Sequence, residues 1–283
     1  MPSATPETVT APLSYYSPPA DGSAPYNRVN TPHWPAGDPT AQLPLSNWSP
    51  VKHSIQIENV RGKEEAYLLD EAGFQFYHSP ATHKSFLDEE EIKAEYYPES
   101  AELIKKITGA SRIVLFDHTI RRQIPGQVDM VSKRQPVQEV HVDQTLASAT
   151  ARVHLHLPPD LAPGLLQHRF QIINLWRPIG HPAFDMPLTL CDFRSVDADK
   201  ELVAVARLAP DRKGETYRVR WSAEHRWKYL KGMTPEEFVL IKCFDSKEGV
   251  SVFTPHTAFQ DPSMPEGSLP RESIELRALV FYD

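Results

Sequence analysis

The sequence predicts a mainly β domain with flanking helices, a sandwich or barrel rather than an alternating βαβ sheet. Three observations carry that expectation. Short runs rich in β-branched and aromatic residues recur between turn residues, most densely after residue 112. The helical patterns lie mainly ahead of those runs instead of alternating with them. No glycine-rich phosphate loop and no internal repeat is present.

Composition sets the outer bounds. A chain of 283 residues can bury a sizeable core. Its 40% apolar and 24% charged residues are those of an ordinary soluble globular protein. No run of the roughly eighteen apolar residues that a membrane-spanning helix needs is found. The start, Met1-Pro2-Ser3-Ala4-Thr5-Pro6, lacks the basic and apolar stretches of a secretory signal. Cys191 and Cys243 sit in apolar runs and read as buried free thiols in a reducing, cytoplasmic compartment. A net charge of −7 without a basic stripe argues against a nucleic-acid partner. The expected partner is a small-molecule substrate, with no nucleic acid and no membrane, and a homodimer is left open.

Residues 1–50 are rich in Pro, Ser and Thr and poor in aliphatic residues, a composition that opposes independent folding. Tyr15, Tyr16, Tyr26, Trp34 and Trp48 are scattered through them, so an arm partly disordered and partly wrapped on the domain is expected, with residues 51–283 forming that domain. Apolar and polar residues alternate from Ile55 to Leu69, and Phe74–His78 follows a turn at Gly73; both read as strands. Residues 88–107 carry a helical pattern with an acidic start and a Lys105-Lys106 end, and Pro98 is expected to divide it in two. Arg112–His118 reads as a core strand, Val137–His141 as another, and the Ala-rich stretch from Thr145 to Leu157 as a helix. Strand patterns follow at Gln171–Pro178, Leu188–Cys191, Leu202–Leu208, Tyr217–Trp221, Phe238–Phe244, Val252–Thr254 and Ile274–Phe281.

The chemistry centres on Val140-His141-Val142-Asp143. On a strand, residues two apart share a face, so His141 and Asp143 present an imidazole beside a carboxylate. These are two of the three protein ligands of a 2-His-1-carboxylate facial triad, and His256, in Thr254-Pro255-His256-Thr257, is the candidate for the third. Such a triad suits ferrous iron and leaves positions for a 2-oxo acid and O₂. The far carboxylate of a 2-oxo dicarboxylate needs a fixed cation, which the planar fork of Arg provides. Arg271 and Ser273 share one parity on the last strand with Glu275 and Arg277, and Arg277 rivals Arg271 for the role. The opposite parity, Ile274, Leu276, Ala278 and Val280, is expected to pack between the sheets.

Six blocks carry a resemblance: Val140–Gln144, Asn174–Ile179, Pro187–Asp192, Lys242–Ser246, Phe253–Phe259 and Pro270–Arg277. In this order they resemble a family of fungal tailoring oxygenases related to gibberellin desaturase and to the cephalosporin 7α-methoxylase accessory protein. The resemblance covers most of the chain after about residue 50. It implies a double-stranded β-helix (jelly-roll) core, non-haem Fe(II), 2-oxoglutarate and O₂. The implied activity is hydroxylation, desaturation or oxidative cyclisation of a small-molecule natural product in secondary metabolism. His141, Asp143 and His256 would be the metal ligands, with Arg271, Ser273 or Arg277 on the cosubstrate. Two other readings stay open, an Fe(II)/O₂ oxidase that dispenses with 2-oxoglutarate and a non-catalytic accessory protein binding a small molecule or a partner.

Asn174, Trp176 and Arg177 lie on a strand expected to flank the site and are candidates for substrate contact. Asn174 and Trp176 share a face, whereas Arg177 points the other way, where a structural ion pair to Asp192 or Asp245 is the competing role. His154 and His156 fall two apart on a predicted helix, where they do not face each other, so no second metal site is expected there. His118 and His181 have no sequence partners, and Trp221, His225, Trp227 and Tyr229 fit packing aromatics or a pocket wall equally well.

Overall fold

Runs of β-branched and aromatic residues form two facing sheets in the computed structural model, which describes residues 7–130, 134–211 and 213–282. In chain order the strands begin with β1 Thr8–Ser17, β2 Tyr26–Arg28, β3 Ser49–Asn59, β4 Phe74–His78 and β5 Arg112–Arg122. Next come β6 His141–Val142, β7 Phe170–Pro178, β8 Leu188–Cys191, β9 Leu202–Leu208 and β10 Lys213–Val219. The last are β11 Trp227–Tyr229, β12 Glu237–Asp245, β13 His256–Ala258 and β14 Glu272–Phe281. The larger sheet has the order β1-β3-β11-β8-β13-β6-β10-β9-β2, the smaller β4-β12-β7-β14-β5. Together they close into a jelly roll, the fold class that the resemblance implied.

β7 shows how position in the sheet selects sequence. It lies between β12 and β14 and is covered on both faces, so all nine of its residues are buried. Three of them are polar, and each finds a partner. Gln171 donates to Asp245 (2.7 Å), Asn174 donates to Asp143 (2.6 Å), and Arg177 reaches the Ser79 and Pro235 carbonyls (2.9 and 2.7 Å). Pro178 ends the strand, and the following Ile179 amide still donates to the Glu272 carbonyl of β14 at 3.1 Å.

The same register corrects the expected facing of β14. Ile274 pairs with Arg177 and Leu276 with Leu175, on the side of the sheet where Arg177 meets the Tyr96 hydroxyl (3.2 Å). The apolar parity therefore packs under the helical layer, in one cluster with Tyr96 and Ile104, and not between the sheets. The inner face carries Glu275 opposite Trp176 and Arg277 opposite Asn174. The reason is chemical, because the space between the sheets holds the polar site.

That helical layer starts at Asp88, whose carboxylate caps the Glu90 and Glu91 amides (2.8 and 3.0 Å). It comprises α1 Glu89–Glu91, a π-helical turn Ile92–Tyr96 and α2 Tyr97–Thr108, closed by Gly109 at φ 68°. Pro98 does not divide the helix as expected. It occupies the first turn of α2, where an N–H is dispensable, and the widened turn before it carries the chain through. The helix read from Thr145 to Leu157 is present as α3, Leu146–His156, with Thr145 and Ser148 in a reciprocal capping box.

Three further differences concern boundaries. β3 stops at Asn59 and gives way to a turn instead of running to Leu69, because Gly62 takes φ 82°. The strand expected from Val137 is confined to His141–Val142. Within the segment 1–50, whose composition reads as an arm, β1 pairs with β3 along its whole length and β2 pairs with β9. Val9, Ala11, Leu13 and Tyr15 are buried at period two, a signal diluted by the surrounding Pro and Ser. Residues 1–6 lie outside the described residues.

Candidate active site

Two strands of the larger sheet bring the histidines together. His141 of β6 and His256 of β13 are a directly opposed antiparallel pair, with ring centroids 4.3 Å apart. Asp143 follows the end of β6. Ligand-type atoms of His141, Asp143 and His256 all lie within 4.8 Å of one another. Each imidazole has its Nδ1 against a backbone carbonyl, Glu139 O at 2.8 Å for His141 and Thr254 O at 2.9 Å for His256. Nδ1–H donation there leaves the Nε2 lone pairs free, and both Nε2 atoms face Asp143 Oδ1, at 3.5 and 3.9 Å.

The second oxygen of Asp143 is held from the smaller sheet. Asn174 donates to Oδ2 at 2.6 Å, and the Arg277 guanidinium stands 3.9 Å away. Burial alone would raise the Asp143 pKa, but the neighbouring His141, His256 and Arg277 outweigh it and hold the carboxyl well below its usual range. Burial and the neighbouring His256 push His141 down to about 4, so this imidazole is neutral at neutral pH. An anionic oxygen beside imidazole Nε2 lone pairs is a donor set that fits a divalent iron ion. No other group of three or more such side chains is close enough to hold a metal among the described residues.

A cavity next to the two histidines is also lined by Trp176, Arg121, Arg271 and Glu275. Arg271 is 2% exposed. Its Nη1 donates to the Met186 carbonyl (2.6 Å), its guanidinium lies over the Trp176 ring, and its Nε has no partner. Met186 takes φ 44°, a left-handed conformation rare outside glycine, while its carbonyl accepts from Arg271. Burial first, and then repulsion from Arg121, pushes the Arg271 pKa down to about 9. A buried guanidinium with a free donor, beside a donor set that fits a metal ion, fits an anionic cosubstrate.

The other candidates separate cleanly. Ser273 lies on the inner face, directly opposite Arg121 on β5. Arg277 is fully engaged by Asp117 (2.9 Å), Thr119 (3.1 Å) and Glu275 (2.7 Å), so it supports Asp143 instead of offering a free fork. Trp176 lines the cavity, whereas Arg177 is turned to the helical side and touches neither the cavity nor the triad. Its ion-pair alternatives are taken as well, Asp192 by Arg194 and Asp245 by Arg169 and Lys242. His118 meets the Tyr97 hydroxyl, His156 stacks on Phe116, and His225 joins Glu201 and Tyr15 in a buried chain ending at Trp227. Sequence reasoning missed Arg121, which only the β5–β14 register brings to the cavity.

Residues 13–281 match the family described as oxidoreductase/YMDC permease-like domain. No helix among the described residues is long and apolar enough to cross a membrane. The chain is 35% identical to the hydroxylase/desaturase efuI of Hormonema carpetanum, over 98% of this chain and 96% of that protein. It is 31% identical to the Fe(II)/2-oxoglutarate-dependent dioxygenase nvfI of Aspergillus novofumigatus, over 83% of this chain and 84% of the relative. A solved structure of the iron and alpha-ketoglutarate-dependent endoperoxidase NvfI superposes with a TM-score of 0.81 at 28% identity, covering 98% of both chains.

Proposed function

Because the chain belongs to the family of fungal Fe(II)/2-oxoglutarate-dependent dioxygenases and hydroxylase/desaturases, we propose that His141, Asp143 and His256 hold its iron and that Arg271 anchors 2-oxoglutarate. The enzyme is a dioxygenase using Fe(II), 2-oxoglutarate and O₂. With these bound, the iron centre supplies oxidation of a substrate C–H bond, while 2-oxoglutarate leaves as succinate and CO₂.

The chain's own contribution is positioning. Asn174 and Arg277 orient Asp143 from one sheet, while the Glu139 and Thr254 carbonyls orient the two imidazoles from the other. Arg271 lines the same cavity as the histidines, and its unsatisfied N–H supports reading it as the anchor for the far carboxylate of the cosubstrate. Trp176 lines the same cavity beneath the Arg271 guanidinium, and Ser273 lies on the polar inner face of β14. The observation that carries this reading is the opposed His141–His256 pair with both Nε2 atoms turned toward one Asp143 oxygen. The substrate is a small molecule, a natural product to be hydroxylated, desaturated or cyclised. Buried Cys191 and Cys243, both free thiols, suit a reducing cytoplasm as the working compartment.

The test is an anaerobic Fe(II) titration followed by 2-oxoglutarate, reading bound iron and the weak visible metal-to-ligand band. Wild type is expected to retain about one iron and develop the band. His256→Ala is expected to lose both while keeping its far-UV circular dichroism. Iron retention and full turnover in His256→Ala would remove the assignment. Succinate released in step with substrate consumption separates a 2-oxoglutarate-dependent reaction from one that needs only O₂.

A further inference from the structure

We propose that Arg121 is a second cation of the cosubstrate subsite, pairing with Arg271 to grip the far carboxylate of a 2-oxo dicarboxylate and select it over a monocarboxylate 2-oxo acid. The inference rests on Arg271 being the anchor, as argued above, and adds a residue from a different strand.

The argument begins with register. Arg121 on β5 is directly opposite Ser273 on β14, and directly opposed residues of an antiparallel pair project from the same face. That face is the inner one, and the Arg121 side chain lines the same cavity as Arg271, His141 and His256. Two guanidinium groups therefore share one enclosed space. Among the described residues neither forms an ion pair with a carboxylate, and the acid that lines the cavity, Glu275, is already held by Arg277 at 2.7 Å.

Hydrogen bonding gives the same picture. Arg121 spends one Nη1 bond on the Gln135 carbonyl (2.9 Å), and Arg271 spends one on Met186. The Arg271 Nε is buried without a partner, and so is the Gln135 Nε2, whose own Oε1 accepts from the Ile124 amide. The unsatisfied groups around this pair are donors. Burial pulls both guanidinium groups below their ordinary pKa, and Arg121 depresses Arg271 further by like-charge repulsion. Buried cations left without a counter-charge are costly, so the arrangement is one that a bound carboxylate relieves. A monocarboxylate 2-oxo acid reaches the metal end only and leaves the pair uncompensated.

The experiment measures 2-oxoglutarate and 2-oxobutyrate affinity of the Fe(II)-loaded protein under argon, without turnover, in wild type, Arg121→Gln, Arg121→Lys and Arg271→Ala. Loss of one charge-assisted bond is expected to weaken 2-oxoglutarate about ten- to a hundredfold in Arg121→Gln. Its 2-oxobutyrate affinity should stay at the wild-type value, and Arg121→Lys should recover part of the dicarboxylate preference. Wild-type 2-oxoglutarate affinity in Arg121→Gln, with Arg271→Ala impaired, would overturn the proposal and leave the anchor reading standing. Equal losses for both oxo acids in Arg121→Gln would also overturn it, since that result marks displacement of the Gln135 segment. Unchanged dicarboxylate affinity in Arg271→Ala would instead remove the anchor reading itself.

Discussion

Asp143 divides its labour between two oxygens. Oδ1 faces the histidine Nε2 atoms, and Oδ2 is fixed by Asn174 at 2.6 Å with Arg277 behind it. Asn174 thus sets the direction in which the carboxylate can bind a cation. Removing such an orienting partner costs about ten- to a hundredfold in metal affinity. Asn174→Ala is therefore expected to weaken Fe(II) binding by that range, read in an anaerobic titration, with the 2-oxoglutarate affinity of the iron-saturated protein little changed. An unaltered iron affinity would show that Arg277 alone suffices. The meeting of His141, Asp143 and His256 was legible in the sequence, because His141-Val142-Asp143 is a local spacing and imidazole and carboxylate are chemically conspicuous. Asn174 showed only as a residue on the right face of a flanking strand. Arg121 did not show at all, since its meeting with Ser273 and Arg271 depends on a pairing across about 150 residues of chain.

Among the elements, the turn at Gly73 has the closest hold on the site. Gly73 sits at φ 90°, and a Cβ there would stand 2.5 Å from Thr254 Oγ1 and 2.8 Å from the Phe253 carbonyl. The Thr254 hydroxyl donates to the Gly73 carbonyl at 2.6 Å, and the Thr254 carbonyl in turn accepts from His256 Nδ1. Gly73→Ala is expected to cost about 1–3 kcal/mol through backbone strain and to weaken iron binding together with it. Thermal melts and the iron titration check both parts, and a destabilised variant with native iron affinity would uncouple the turn from the site. β12 carries a separate anchor in Lys242 and Asp245, whose side chains are fully enclosed and 2.8 Å apart, with Arg169 on the same carboxylate. Burial raises the Asp245 pKa, but hydrogen bonds from Arg169 and Lys242 outweigh it and leave the group depressed. A depressed carboxyl stabilises the fold in full above its unfolded pKa of about 3.9, and that stabilisation drains away as pH falls through the lower folded value. Asp245→Asn is therefore expected to cost about 3–5 kcal/mol at pH 7, with the gap to wild type narrowing below about pH 3.9. A gap that stays constant into acid would contradict this. The helix around Pro98 was misjudged from sequence because a π-helical turn leaves no mark in apolar spacing.

At the scale of the whole molecule, the sandwich was legible because β-branched runs between turns are a direct consequence of half-buried strands. The direction each β14 face takes was not, because both faces are buried and only the helical layer on one side distinguishes them. The first strand was hidden for another reason, its short period-two pattern lying inside a Pro- and Ser-rich segment. Its contribution is nevertheless central, since the Ser14 carbonyl accepts the Val140 amide at 2.9 Å, immediately before His141.

The opposed pair of histidines gives a metal ion a second office. The two imidazoles proposed to hold it come from β6 and β13, more than a hundred residues apart in the chain, and those strands share little other pairing than His141 against His256. A bound ion is thus a reversible crosslink closing a long loop, and it removes freedom from the unfolded chain much as a disulfide would. Because the unfolded chain lacks the site, melting should follow mass action. Free Fe(II), or redox-inert Mn(II), at a hundred times its Kd is expected to add about 2.7 kcal/mol of stability. His256→Ala should melt at a temperature indifferent to added metal, and chelation should bring the wild-type melt down toward its metal-free value. The proposed iron centre would then also serve as the clasp of the barrel.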